Sequence, residues 1–89
     1  MTMEWTPQVL KRDGSIEPFD REKIRGGIER AVEKRPVTDD EVDRLVAEIH
    51  ADIRDRGTRI VSSKLVGELV SETLREVDSV AYVRFVSVY

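Results

Sequence analysis

Apolar positions recur at three- and four-residue steps along most of the chain, and this periodicity predicts four helices preceded by a β-hairpin. Ile24, Ile28, Ala31 and Val32 share one face of a first helix expected over residues 20–34, with Arg21, Arg25, Glu29 and Glu33 outward; Arg35-Pro36 ends it. Thr38-Asp39-Asp40-Glu41 has the spacing of a capping box and starts a second helix. Its buried stripe is Val42, Leu45, Val46, Ile49 and Ile53, and Gly57 supplies the stop. Ser62 or Ser63 caps a third helix that buries Leu65, Val66, Leu69, Val70 and Leu74 and turns Glu68, Glu72 and Arg75 outward. Asp78 or Ser79 opens a fourth. There Val80 and Val83 lie on one side, and Tyr82, Phe85, Val86 and Tyr89 form a neighbouring aromatic stripe. With no cap or polar tail after Tyr89, this last pattern reads as cut short or completed by another segment.

Upstream of the first helix, Val9-Leu10-Lys11-Arg12-Asp13-Gly14-Ser15-Ile16-Glu17-Pro18-Phe19-Asp20 reads as a hairpin. Asp13-Gly14 is the signal of a two-residue type I′ turn, which needs positive φ at both central positions. Pro18 ends the pairing, and Asp20 caps the helix, whose first-turn amides attract anions. Lys11, Arg12 and Lys23 converge on that helix start. Such a cluster suits the phosphates of a nucleotide, although spacing alone equally describes a solvated hairpin tip. Residues 1–7 carry no periodicity and read as an extension; Trp5 within it is large enough to pack back on the domain or on a neighbour.

Composition narrows the functional classes. Eighty-nine residues fit one small domain. The lack of cysteine excludes a disulfide framework and a thiolate zinc site, and the single histidine, His50, cannot build a histidine cluster. No apolar run reaches the about twenty residues of a membrane span, and no signal peptide opens the chain, so the cytoplasm is the default compartment and no membrane partner is expected. Fifteen basic against eighteen acidic side chains, a net charge of −3, argue against a surface devoted wholly to nucleic acid.

Three strings together, the run from Val9 to Lys23, Lys34-Arg35-Pro36-Val37, and Val80-Ala81-Tyr82-Val83-Arg84-Phe85, resemble an ATP-cone domain over residues 9–89. The last two strings resemble most closely the nucleotide-binding half of the bacterial repressors of ribonucleotide reductase genes. Those repressors carry a four-cysteine zinc ribbon before the cone; residues 1–7 stand there instead, which counts against direct DNA binding by this chain. The resemblance implies an α-rich (α+β) fold, a four-helix domain with an N-terminal β-hairpin over residues 8–89. It also implies a regulatory sensor of adenine nucleotides, ATP or dATP with Mg2+, whose bound state alters homo-oligomer formation; no reaction is implied. Carried over position by position, the family's nucleotide contacts fall on Val9, Leu10, Lys11, Arg12, Glu17 and Lys23, with Tyr82 and Tyr89 as further assignments.

Each position also has a plain structural reading. Lys11, Arg12 and Lys23 offset triphosphate charge or stand as solvated cations. Glu17 accepts a hydrogen bond from sugar or base, or pairs with Lys23. Val9 and Leu10 wall an adenine ring, or are core. Gly26-Gly27 costs roughly 1 kcal/mol per residue against alanine and asks for a close approach by a ligand or a packed element, unless it is tolerated weakness. Tyr82, Arg84, Phe85 and Tyr89 suit base stacking, a subunit contact or the core. His50 falls beside Asp52 on a polar side and is not expected to be catalytic, and no paired nucleophile and base suggests an enzyme. The competing function is an assembly domain without nucleotide binding, in which the aromatic stripe docks a partner.

Overall fold

The computed structural model describes residues 7–88. Three short strands, β1 (Gln8–Leu10), β2 (Ile16–Pro18) and β3 (Ile60–Ser62), form a sheet in the order β2-β1-β3. β1 pairs antiparallel with β2, Val9 opposite Glu17, and parallel with β3, Val9 opposite Val61. Val9 and Val61 therefore point to the same face and are buried. β2 is an edge strand, where Pro18, having no N–H, leaves no ladder bond unmade.

The hairpin connection differs from the expected two-residue turn. The Lys11 amide donates to the Ser15 carbonyl at 2.8 Å and the Gly14 amide to the Lys11 carbonyl at 3.0 Å, so three residues, Arg12 to Gly14, make the loop. Only Gly14, at φ 87°, takes the left-handed conformation; Asp13 does not. This is the tight turn followed by a left-handed glycine that three-residue hairpins use. Asp13 is committed to the turn, its Oδ1 accepting from the Ser15 amide (2.9 Å) and hydroxyl (2.6 Å).

The helices are α1 (Arg21–Ala31), α2 (Asp39–Asp55), α3 (Ser63–Val77) and α4 (Ser79–Val88). Side-chain caps start each one. Asp20 accepts from the Glu22 amide, Thr38 from the Glu41 amide, Ser62 from the Leu65 amide and Asp78 from the Ala81 amide. In the capping box Glu41 accepts from the Thr38 hydroxyl at 3.4 Å, so its second arm joins side chain to side chain. α1 stops three residues short of the expected Lys34, which adopts φ 62°. Arg84 of α4 satisfies the carbonyls left open there, donating from Nη1 to Ala31 at 3.3 Å and Glu33 at 2.6 Å.

The predicted stripes of α1 and α2 are the core: Ile24, Ile28, Ala31 and Val32 meet Val42, Leu45, Val46, Ile49 and Ile53. In α3 only Val70 and Leu74 are fully buried, while Leu65, Val66 and Leu69 are half-buried against them. α4 differs more: Ala81 and Phe85 face inward and Val80, Val83, Val86 and Val88 are exposed. A helix that is apolar nearly all round has no moment from which its inner face can be read. The ion pair of Arg25 with Asp43 joins α1 to α2.

Asp78 joins two elements. Besides capping α4 it accepts from Arg35 Nε at 3.0 and 3.1 Å. The hydrogen bond from the Ala81 amide, helped by Arg35 and opposed by burial, holds its carboxyl below the ordinary 3.8. A pKa depressed by folding contributes stability that is complete above the unfolded-state value and disappears as pH falls through the folded-state value. Asp78→Asn keeps a capping oxygen but loses the charge, so its stability should fall less steeply than that of the native chain below about pH 4, as followed by urea titrations from about pH 6 to pH 2.

Candidate functional site

The hairpin's inner face lies over the start of α1 and the first turns of α3, and a cleft of about 220 Å³ opens between them. Its walls are apolar: Val9 of β1, Phe19, Ile24 of α1, Val66 and Val70 of α3, and Phe85 of α4. Gly27 and Gly67 bring helix backbone to the lining, and Glu17, Asp20 and Lys23 supply its charge. Three of its residues, Ser63, Gly67 and Phe85, also line a neighbouring cleft of about 530 Å³, where Arg12 and Lys64 stand beside Glu68 and Ser71.

Electrostatically the site is a lysine pair around the Glu17 carboxylate, with the capping carboxylate of Asp20 in the same lining. Lys23 Nζ lies 3.2 Å from both Glu17 oxygens, and Lys11 Nζ lies 3.9 Å from Oε2. Of the two readings of Glu17, the ion pair is the one formed in this structure. Lys23 is 65% exposed and Lys11 47%, so both remain reachable by an anion from solvent. The Asp20 cap, three residues before Lys23, orders the first turn of α1. The Asp13 carboxyl is held below the usual carboxylate range mainly by the Ser15 hydroxyl, which keeps it a charged turn clamp.

The sequence-predicted residues divide by place. Val9, Glu17 and Lys23 line the smaller cleft, Arg12 lines the larger one, and Lys11 reaches Glu17. Leu10 is on the opposite face of the sheet, exposed beside Ile16. Tyr82 packs half-buried against the core and lines neither cleft. Tyr89 and Trp5 fall outside the described residues. Arg84, considered for stacking or a subunit contact, is held by the carbonyls at the end of α1. His50 is half-buried, its ring stacked on Phe19 at 5.6 Å between centroids. In the glycine pair only Gly27 is buried and lines the cleft.

Sequence reasoning missed Phe19, Ser63, Lys64, Val66 and Gly67. One signal was present: Lys64 puts a cation in the first turn of α3, where the helix dipole favours anions and where no acidic residue occurs. Such a placement is unfavourable unless a negative group comes to it.

The model of the ATP cone domain matches residues 7–89. The transcriptional repressor NrdR of Halomicrobium mukohataei is 62% identical over 87 residues, 97% of this chain and 54% of that protein. Proteins of the same name from Natronomonas pharaonis and Halorubrum lacusprofundi are 62% and 61% identical with the same coverage. The chain thus spans about half the length of the curated relatives it matches. With the matched region running from the strand-entering Pro7 through all four helices, the chain belongs to the ATP cone domain family.

Proposed function

We propose that this domain is a regulatory sensor of adenine nucleotides, ATP and dATP, whose bound state alters self-association in the control of ribonucleotide reductase genes. The observation that carries the reading is the apolar cleft under the hairpin with Lys23 in its lining and Lys11 close by. Apolar walls suit a flat base, and exposed ammonium groups suit phosphates. Ligand pockets commonly hold roughly 300–1,000 Å³; the smaller cleft falls below that range, and a whole nucleotide would extend toward the larger cleft, where Arg12 and Lys64 await its charge. Any Mg2+ would be held largely through phosphate oxygens, because among the described residues no three His, Cys, Asp or Glu side chains gather to hold a metal.

Control of gene expression is taken from the name of the relatives, and the regulatory rather than catalytic role follows the family. Self-association is supported by the exposed valines of α4, Val80, Val83, Val86 and Val88, on a chain in which 37% of residues are charged. Nucleotides shift such an assembly only if they bind its alternative forms unequally. Among the described residues no helix is long and apolar enough to cross a membrane.

Calorimetric titration of the chain with ATP and dATP, with and without Mg2+, should give saturable binding. Light scattering on the same samples should give different masses with the two nucleotides. Absence of binding at millimolar nucleotide overturns the sensor and leaves the assembly-domain reading.

A further inference from the structure

The strongest feature that the sensor reading does not use is Gly67. It sits inside α3, where glycine weakens a helix relative to alanine, and its φ is an ordinary helical one that any residue adopts. Packing does not require it either: a Cβ built there meets nothing within 4 Å. The empty space it faces is that of the two clefts, since Gly67 lines both the 220 Å³ and the 530 Å³ clefts at their junction with Ser63 and Phe85. We infer that Gly67 is a specificity-determining position, where the lack of a side chain lets one ligand lie across the junction, its base against the apolar walls and its phosphates running from Lys23 toward Lys64.

Gly26 is the matched comparison. It too sits inside a helix, and a Cβ there meets only the tip of Arg30, at 3.4 Å, but it lines neither cleft. The inference rests on the nucleotide reading and separates from it by experiment. Gly67→Ala and Gly26→Ala should each raise the thermal midpoint by about 4–8 °C, through helix propensity alone. Their effects on ligand then part. Gly67→Ala should weaken ATP about tenfold or more, as added bulk in a fitted pocket does, while Gly26→Ala should leave the affinity within about twofold of wild type.

Adenosine refines the test, because it lacks the phosphates that must cross the junction: Gly67→Ala should weaken it less than it weakens ATP. Titration of the folded, melted and refolded variants with ATP and adenosine decides the matter. If Gly67→Ala binds ATP as wild type does, the inference is overturned while the sensor stands. If the wild-type chain binds no ATP, both fall together.

Discussion

Leu74→Ala is expected to destabilise the domain by about 2–5 kcal/mol, the range for emptying a fully buried leucine site. Leu74 is 0% exposed and sits on α3 where that helix packs against α4. Removing its side chain leaves a cavity beside a helix end that is held in place: the Asp78 amide bonds to the Leu74 carbonyl at 2.8 Å, and Asp78 is itself held by Arg35. Small domains have about 5–15 kcal/mol of stability in all, so a large share disappears with one side chain. Urea denaturation should show the midpoint fall with an unchanged slope. Leu10→Ala, at a site exposed on the outer sheet face, should change it by less than about 0.5 kcal/mol. A Leu74→Ala loss no greater than that of Leu10→Ala would disprove the packing argument.

The second large effect concerns ligand rather than fold. Lys23→Glu is expected to weaken ATP and dATP alike by about a hundredfold, because charge-assisted hydrogen bonds to phosphate are among the strongest single contacts and reversal adds repulsion. The fold should tolerate it. Lys23 is 65% exposed, and its pair with Glu17 is of the surface kind that contributes about 0–1 kcal/mol. Circular dichroism and a melting curve near those of wild type, with binding lost in calorimetry, are the expected results. Undiminished affinity in the variant would remove Lys23 from the site and with it the phosphate role of the first turn of α1.

What was legible in the sequence follows from what is local. The stripes of α1 and α2 are one-sided because each helix faces the core once, and four side-chain caps announced four helix starts. β3 was invisible: three residues carry no period, and the strand exists because it pairs with β1, about fifty residues away. The Asp-Gly turn was ambiguous for a similar reason, since two- and three-residue loops both want a left-handed glycine and only the strand register tells them apart. In the site, the cations before and within α1 were visible as a cluster along the chain. Val66 and Gly67 were not, because they meet Val9 and Lys23 only after the parallel pairing is made, and Lys64 meets Arg12 only in the folded chain.

That parallel pairing has a kinetic consequence. α1 and α2 are neighbours in sequence and dock across short connections, whereas the β1 to β3 ladder, like the contact of α4 with the end of α1, closes a loop of about fifty residues. Loop closure costs entropy before the contacts it brings offset that cost, so the hairpin joins α3 late in folding and is among the first parts to part from it in local opening. The smaller cleft lies on that seam. A molecule that fills it binds the closed arrangement alone and therefore slows the opening of the hairpin, giving this seam a lifetime set by how much ligand the solution holds.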